Sequence, residues 1–83
     1  MEKKLGVIII AIKNREMVPR INTLLGEHGD IILSRQGLNI SEDNVQLISL
    51  FIKSDANTIN SLTGKMGRLP GVKIRTLQLS DIE

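Results

Sequence analysis

The sequence predicts one α+β domain in which two βαβ halves share a four-stranded antiparallel sheet, with both helices on one face. Three observations point to it. Two stretches, Lys4–Lys13 and Val45–Lys53, alternate with period two yet are apolar on both faces, as central strands are. Strand and helix periodicities follow one another in the order β-α-β-β-α-β. A nine-residue pattern also occurs twice, as Ile21-Asn22-Thr23-Leu24-Leu25-Gly26-Glu27-His28-Gly29 and as Ile59-Asn60-Ser61-Leu62-Thr63-Gly64-Lys65-Met66-Gly67. The Ile, Asn, Leu and both Gly positions are identical, and the repeat falls in the second half of each helix.

The elements follow in order. Lys4–Lys13 (KLGVIIIAIK) is rich in β-branched residues and too short for a typical helix. Leu5, Val7, Ile9 and Ala11 share one face, and Ile8, Ile10 and Ile12 the other. Asn14-Arg15-Glu16 is a polar turn into a helix from about Met17 to His28, with Pro19 in its first turn, where a missing N–H is tolerated. Val18, Ile21, Leu25 and His28 form its buried stripe, with Leu24 at the edge. Gly29 is expected to be a left-handed cap. Gly26, inside the helix, costs about 1 kcal/mol relative to Ala, and close backbone packing against a neighbour is the favoured explanation.

Asp30–Gln36 is expected to be a second strand, and Gly37–Asn44 (GLNISEDN) a connection rich in turn formers. In Val45–Lys53 (VQLISLFIK), Val45, Leu47, Ser49 and Phe51 share one face, and Ile48, Leu50 and Ile52 the other. Ser54 or Asp55 caps a second helix, about Ala56–Arg68, whose stripe is Ile59, Leu62, Met66 and Leu69. Pro70-Gly71 ends it. Val72–Leu79 is a fourth strand whose Lys73 and Arg75 suit a sheet edge, and Ser80–Glu83 reads as a frayed tail. The compact solution is a ferredoxin-like βαββαβ sandwich with the first and third strands in the middle. A single domain spans 1–83, with its core at about 4–79.

That arrangement leaves one apolar sheet face without helices. Burying one large aliphatic side chain contributes about 1.5–3 kcal/mol, so six give on the order of 10 kcal/mol as an upper bound. This rivals the whole stability of a small domain, about 5–15 kcal/mol. Such a patch exceeds what soluble monomers expose. The sequence thus favours a homo-oligomer, dimer or tetramer, built on the sheet face or its edges, or else a partner protein covering that face.

Composition narrows function further. The 83 residues contain no Cys, which excludes disulfides and thiolate metal sites and fits a cytoplasmic setting. Met1-Glu2-Lys3-Lys4 runs into the first strand without a cleavage site, and no apolar run approaches the ~20 residues of a membrane helix. Net charge is +2, the basic residues are scattered, and Phe51 is the only aromatic residue. Direct nucleic-acid binding is therefore disfavoured.

No catalytic constellation is present, and neither a metal nor a cofactor is expected. His28, the single histidine, sits at a helical core or capping position. Gly64, Lys65, Gly67, Arg68, Pro70 and Gly71 lie at a helix C-terminus, where the dipole is negative, so they read as a structural turn and not a phosphate cradle. The better ligand candidate is Asn14, Arg15, Glu16 and Met17. A helix N-terminus there offers N–H groups to an anion or carboxylate, and Arg15 adds a fork of donors. The competing reading is a solvated polar turn.

The segment Asn14-Arg15-Glu16, with the helix ending Leu25-Gly26-Glu27-His28-Gly29-Asp30, resembles the first half of ACT-like regulatory domains. Together with Leu62-Thr63-Gly64-Lys65-Met66-Gly67-Arg68-Leu69-Pro70-Gly71-Val72, it resembles the small stand-alone iron-only hydrogenase system regulators. Their fold is similar to ACT domains and to the C-terminal domain of nickel-responsive repressors. The resemblance spans about residues 4–79. It implies a non-enzymatic regulatory or ligand-sensing module with a possible small-molecule effector, acting on transcription through another protein. Met17 and Val18 stand where amino-acid-binding ACT domains carry a glycine, and the His and Cys ligands of the nickel repressors are missing. The alternatives are a small enzyme on the same fold, of the acylphosphatase or dimeric monooxygenase type, and direct nucleic-acid binding by the oligomer.

Overall fold

A computed structural model describes residues 3–79. The elements are β1 (Lys4–Ile12), α1 (Val18–Glu27), β2 (Ile32–Ile40), β3 (Val45–Ser54), α2 (Ala56–Gly67) and β4 (Val72–Gln78). Short 3-10 turns fill Arg15–Met17, Gly29–Ile31 and Ser41–Asp43. The sheet order is β2-β3-β1-β4, with every neighbouring pair antiparallel. The two strands with two apolar faces are therefore the central ones, as their alternation requires.

Ile8, Ile10 and Ile12 of β1 and Ile48, Leu50 and Ile52 of β3 are buried beneath Ile21, Leu24 and Leu25 of α1 and Ile59, Leu62 and Met66 of α2. In the register, Ile8 faces Leu50 and Ile10 faces Ile48. The two nonapeptides occupy matching places: Ile21 and Ile59 are buried, as are Leu24 and Leu62, while Asn22 and Asn60 are exposed. Leu24, expected at the edge of its stripe, is part of the core.

Asp55 settles the second cap. Its carboxylate accepts from the Thr58 N–H at 3.1 Å and from the Thr58 hydroxyl at 2.7 Å. These bonds, the hydroxyl's first, hold the carboxyl below the ordinary aspartate value of 3.8. A depressed folded pKa adds stability that is present above the unfolded value and is lost as pH falls through the folded one. Asn also caps helices but does not titrate. The Asp55→Asn variant is thus expected to melt with a flatter pH dependence than the wild type below about pH 4. Parallel acid titrations of thermal unfolding check this; curves of equal slope would remove Asp55 from the account.

The α2-to-β4 corner is a type II turn. Pro70 sits at its second position, Gly71 at its third with φ +72°, and the Val72 N–H donates to the Leu69 carbonyl at 3.2 Å.

Four local expectations are corrected. β2 does not stop at Gln36 but runs to Ile40, because Gly37, Leu38 and Asn39 pair with Ile48, Leu47 and Gln46. Ladder pairing outweighs the turn preference of those residues, and the reversal is made by Ser41–Asp43 with Asn44 in the left-handed region (φ 51°). Gly29 is not a left-handed cap: Gly71 is the one positive-φ glycine among the described residues. α1 instead ends through His28, whose Nδ1–H donates to the Leu24 carbonyl at 2.9 Å, and the Ile31 N–H returns to the His28 carbonyl. Gly26 is exposed, and a Cβ there would meet nothing within 4 Å, so close packing does not explain it. β4 ends at Gln78, one residue early. The Ser80–Glu83 tail lies outside the described residues.

Candidate functional site

The expected ligand turn is built by side chains from three parts of the chain. As β1 ends, the Lys13 N–H donates to the Gly71 carbonyl at 2.8 Å, which fixes the turn against the type II corner. The half-buried Asn14 then closes an Asx turn, its Oδ1 accepting from the Glu16 N–H at 3.1 Å. The Met17 N–H donates to the Asn14 carbonyl and the Val18 N–H to the Arg15 carbonyl. Pro19, at the start of α1, has no N–H.

The Glu16, Met17 and Val18 N–H groups are therefore engaged within the turn, and the Arg15 guanidinium supplies charged donors beside it. Arg15 is exposed. Its Nε donates to Asn44 Oδ1 at 3.3 Å and its Nη2 to Asn39 Oδ1 at 3.4 Å, both long bonds. The guanidinium thus links the β1–α1 turn to the β2–β3 hairpin. Glu16 is exposed, and Met17 packs partly on the core. Asn39 and Asn44 escape a sequence reading, since nothing local ties them to Arg15. Their one signal is the turn-former run that contains them.

Gly64, Lys65, Gly67, Arg68, Pro70 and Gly71 form the last turns of α2 and its corner. Gly71 faces Asn14, so this stretch supports the Asn14–Met17 turn from below. Among the described residues, no three His, Cys, Asp or Glu side chains gather closely enough to hold a metal ion.

The second surface is the sheet face that no helix covers. The registers arrange it in rows across β2, β3, β1 and β4: Leu38, Leu47, Ala11 and Lys73; then Gln36, Ser49, Ile9 and Arg75; then Ser34, Phe51, Val7 and Leu77. Ile9 is 51% exposed and Phe51 53%. An irregularity between Ile32 and Ser34 adds Leu33 to this face and returns Arg35 to the helix side, where its Nη2 donates to Asn22 Oδ1 at 2.6 Å. Leu5, Val7, Leu33, Phe51, Leu77 and Leu79 line a nearly wholly apolar cleft of about 270 Å³ on this face. The sequence identifies the share of β1 and β3. It misses that of Leu33 and Leu38, because the bulge breaks the alternation of β2 and the strand outruns its expected end.

Comparison with known proteins follows the same outline. The profile of the family described as "TM1266-like: Iron-only hydrogenase system regulator, putative" matches residues 4–76. No curated protein matches the chain. Among solved structures, the uncharacterised protein TM1266 from Thermotoga maritima is 37% identical, with 94% of this chain and 99% of that one covered at a TM-score of 0.89. An unknown protein from Galdieria sulphuraria shares 17% identity over 93% of this chain and 45% of its own, at a TM-score of 0.64. A formyltetrahydrofolate deformylase from Pseudomonas syringae pv. tomato str. DC3000 shares 10% over 94% of this chain and 28% of its own, at 0.65. The last two are similar in fold alone. The profile match over nearly the whole chain and the near-complete overlap with TM1266 place this protein in the TM1266-like family of iron-only hydrogenase system regulators.

Proposed function

We propose that this protein is a non-enzymatic regulatory module of the cytoplasm that works as a homo-oligomer and acts on its target through a partner protein. The observation that carries the reading is the uncovered sheet face, where Leu5, Ile9, Leu33, Leu38, Phe51 and Leu77 are all exposed. Self-association through this face would bury the cleft between Leu5, Phe51 and Leu77. The family supports a regulatory role and names the iron-only hydrogenase system as its setting. Among the described residues, no helix is long and apolar enough to cross a membrane.

A small-molecule effector fits best at the corner formed by Asn14, Arg15, Asn39 and Asn44. Because both Arg15 bonds are long and exposed, an anionic or carboxylate group would displace the asparagine carbonyls at little cost and gain charge-assisted bonds. A carboxylate here would join the β1–α1 turn to the hairpin, so binding would read out as a change in how these elements are held. The Arg15→Ala variant is expected to lose about tenfold or more in effector affinity with little change in melting temperature, because its bonds lie on the surface. Unchanged affinity would move the site elsewhere.

Native mass spectrometry of untagged protein tests the proposal as a whole. A dimer or tetramer with retained small-molecule mass supports the sensor reading. A clean oligomer supports signalling by protein contact alone. A bare monomer at micromolar concentration overturns self-association.

A further inference from the structure

The part of the chain that forms α2 and β4 is uniformly basic. From residue 56 to 79 the chain carries Lys65, Arg68, Lys73 and Arg75 and no Asp or Glu, whereas residues 14–44 mix Glu16, Glu27, Asp30, Glu42 and Asp43 with Arg15, Arg20 and Arg35. The basic stretch contains α2 and β4, and β4 is an edge strand, paired with β1 on one side only. Between them runs a groove of about 580 Å³ lined by Asn60, Thr63, Gly64 and Gly67 of α2 and by residues 72–76 of β4. A Cβ at Gly64 or Gly67 would meet nothing within 4 Å, so these glycines leave the groove wide and do not pack against anything.

The edge is marked for an added strand. On β4, Lys73 and Arg75 sit on the open sheet side, level with Ala11 and Ile9. The Arg75 guanidinium already donates to the Ile74 carbonyl at 2.9 Å, which is the kind of bond an incoming backbone N–H would make. A second copy of this chain is a poor occupant. Two β4 strands related by a two-fold axis at Ile74 would set Lys73 directly opposite Arg75, and like charges so placed repel. The other edge strand, Ile32–Ile40, contains no carboxylate to meet them.

We propose that the groove between α2 and β4 is the docking site for an extended segment of a partner protein with acidic residues at alternate positions. Added as a fifth strand, the segment uses its backbone to satisfy the free edge of β4. Its acidic side chains lie across from Lys73 and Arg75, and the intervening side chains enter the groove over Gly64 and Gly67. This names the partner chemistry of the regulatory reading and rests on it.

The test is fluorescence anisotropy with a short labelled peptide alternating glutamate and valine, beside a lysine–valine peptide and a short DNA duplex. Saturable binding of the glutamate peptide that weakens as salt rises is expected. The Lys73→Glu/Arg75→Glu double variant should weaken it roughly tenfold or more. The Gly64→Leu variant, which fills the groove and removes a helical glycine, should weaken it comparably while melting no lower than wild type. Absence of saturable binding overturns the proposal, as does equal affinity for the lysine peptide or binding of the duplex alone. Retention of wild-type affinity by either variant also overturns it. An intact oligomer by native mass spectrometry with no peptide binding removes this site and leaves the regulatory reading standing.

Discussion

A Gly71→Ala variant is expected to melt roughly 10–20 °C below wild type. Two separate penalties combine. At φ +72° an L side chain meets its own backbone, at a cost of about 1–2 kcal/mol. The new Cβ would also stand 2.8 Å from the Asn14 Cβ and 3.1 Å from the Asn14 nitrogen. Neither atom can yield, because Asn14 is tied by the Lys13–Gly71 bond and by its own Asx turn. Overpacking of that kind costs about 1–3 kcal/mol more. The sum, about 3 kcal/mol, is a large share of the ~5–15 kcal/mol that a domain of this kind has in total. Gly64→Ala is the internal control with the opposite sign. That glycine lies inside α2, has no positive φ and faces open space, so alanine there should add about 0.5–1 kcal/mol. Thermal or urea unfolding of both variants decides the matter: equal shifts, or a stable Gly71→Ala protein, would contradict the corner described here.

The second large effect concerns assembly. An Ile9→Glu variant is expected to associate about 100-fold more weakly than wild type, or not at all, while keeping its fold. Ile9 lies near the middle of the uncovered face, between Ser49 of β3 and Arg75 of β4. In the separated protomer a carboxylate at this position is solvated and has Arg75 directly across the strand pair, so the substitution is tolerated. In a sheet-to-sheet interface the same carboxylate and the Arg75 guanidinium would both be taken out of water beside Leu38, Leu47 and Phe51, and the desolvation cost of such a pair can exceed its attraction. Sedimentation velocity measures the association, and circular dichroism measures the fold. An Ile9→Glu protein that remains as oligomeric as wild type would show that self-association uses another surface.

Those two positions also show where a sequence can be read and where it cannot. The facing of Ile9 follows from alternation within β1 alone, since a strand in a sheet has period two and nothing local disturbs it. Asp55 is legible as a candidate cap because a carboxylate just before a helix satisfies an N–H within its own turn. Pro70-Gly71 is legible as a turn for the same local reason. Most of the failures involve partners distant in sequence. β2 extends past Gly37 because β3 pairs with it, and that ladder outweighs the turn preferences of Gly37 and Asn39. Leu33 joins the open face through an irregularity of pairing that no periodicity predicts. The link from Arg15 to Asn39 and Asn44 exists only once the hairpin has folded beside the first turn. Gly29 misleads for a subtler reason: a glycine after a helix permits a left-handed cap without requiring one, and His28 supplies the carbonyl's partner instead.

The central place of β1 has a consequence for synthesis. Its nine residues, Lys4–Ile12, leave the ribosome before any other strand of the described chain, yet their two neighbours in the sheet are β3 and β4, the last two strands made. Translation at ~5–20 residues per second leaves KLGVIIIAI waiting roughly 2–8 s before β3 emerges, and longer before β4. During that interval it is an apolar, β-branched segment with no partner, the kind of sequence that pairs with copies of itself. Lys4 opens it, and Lys3 and Lys13 stand on either side. They contribute nothing to the buried core, but like charges at both ends of a strand oppose stacking between nascent chains. The strand at the centre of the finished sheet is thus the first made and among the last to be paired on both sides, and charge at its ends opposes pairing with other chains during that wait.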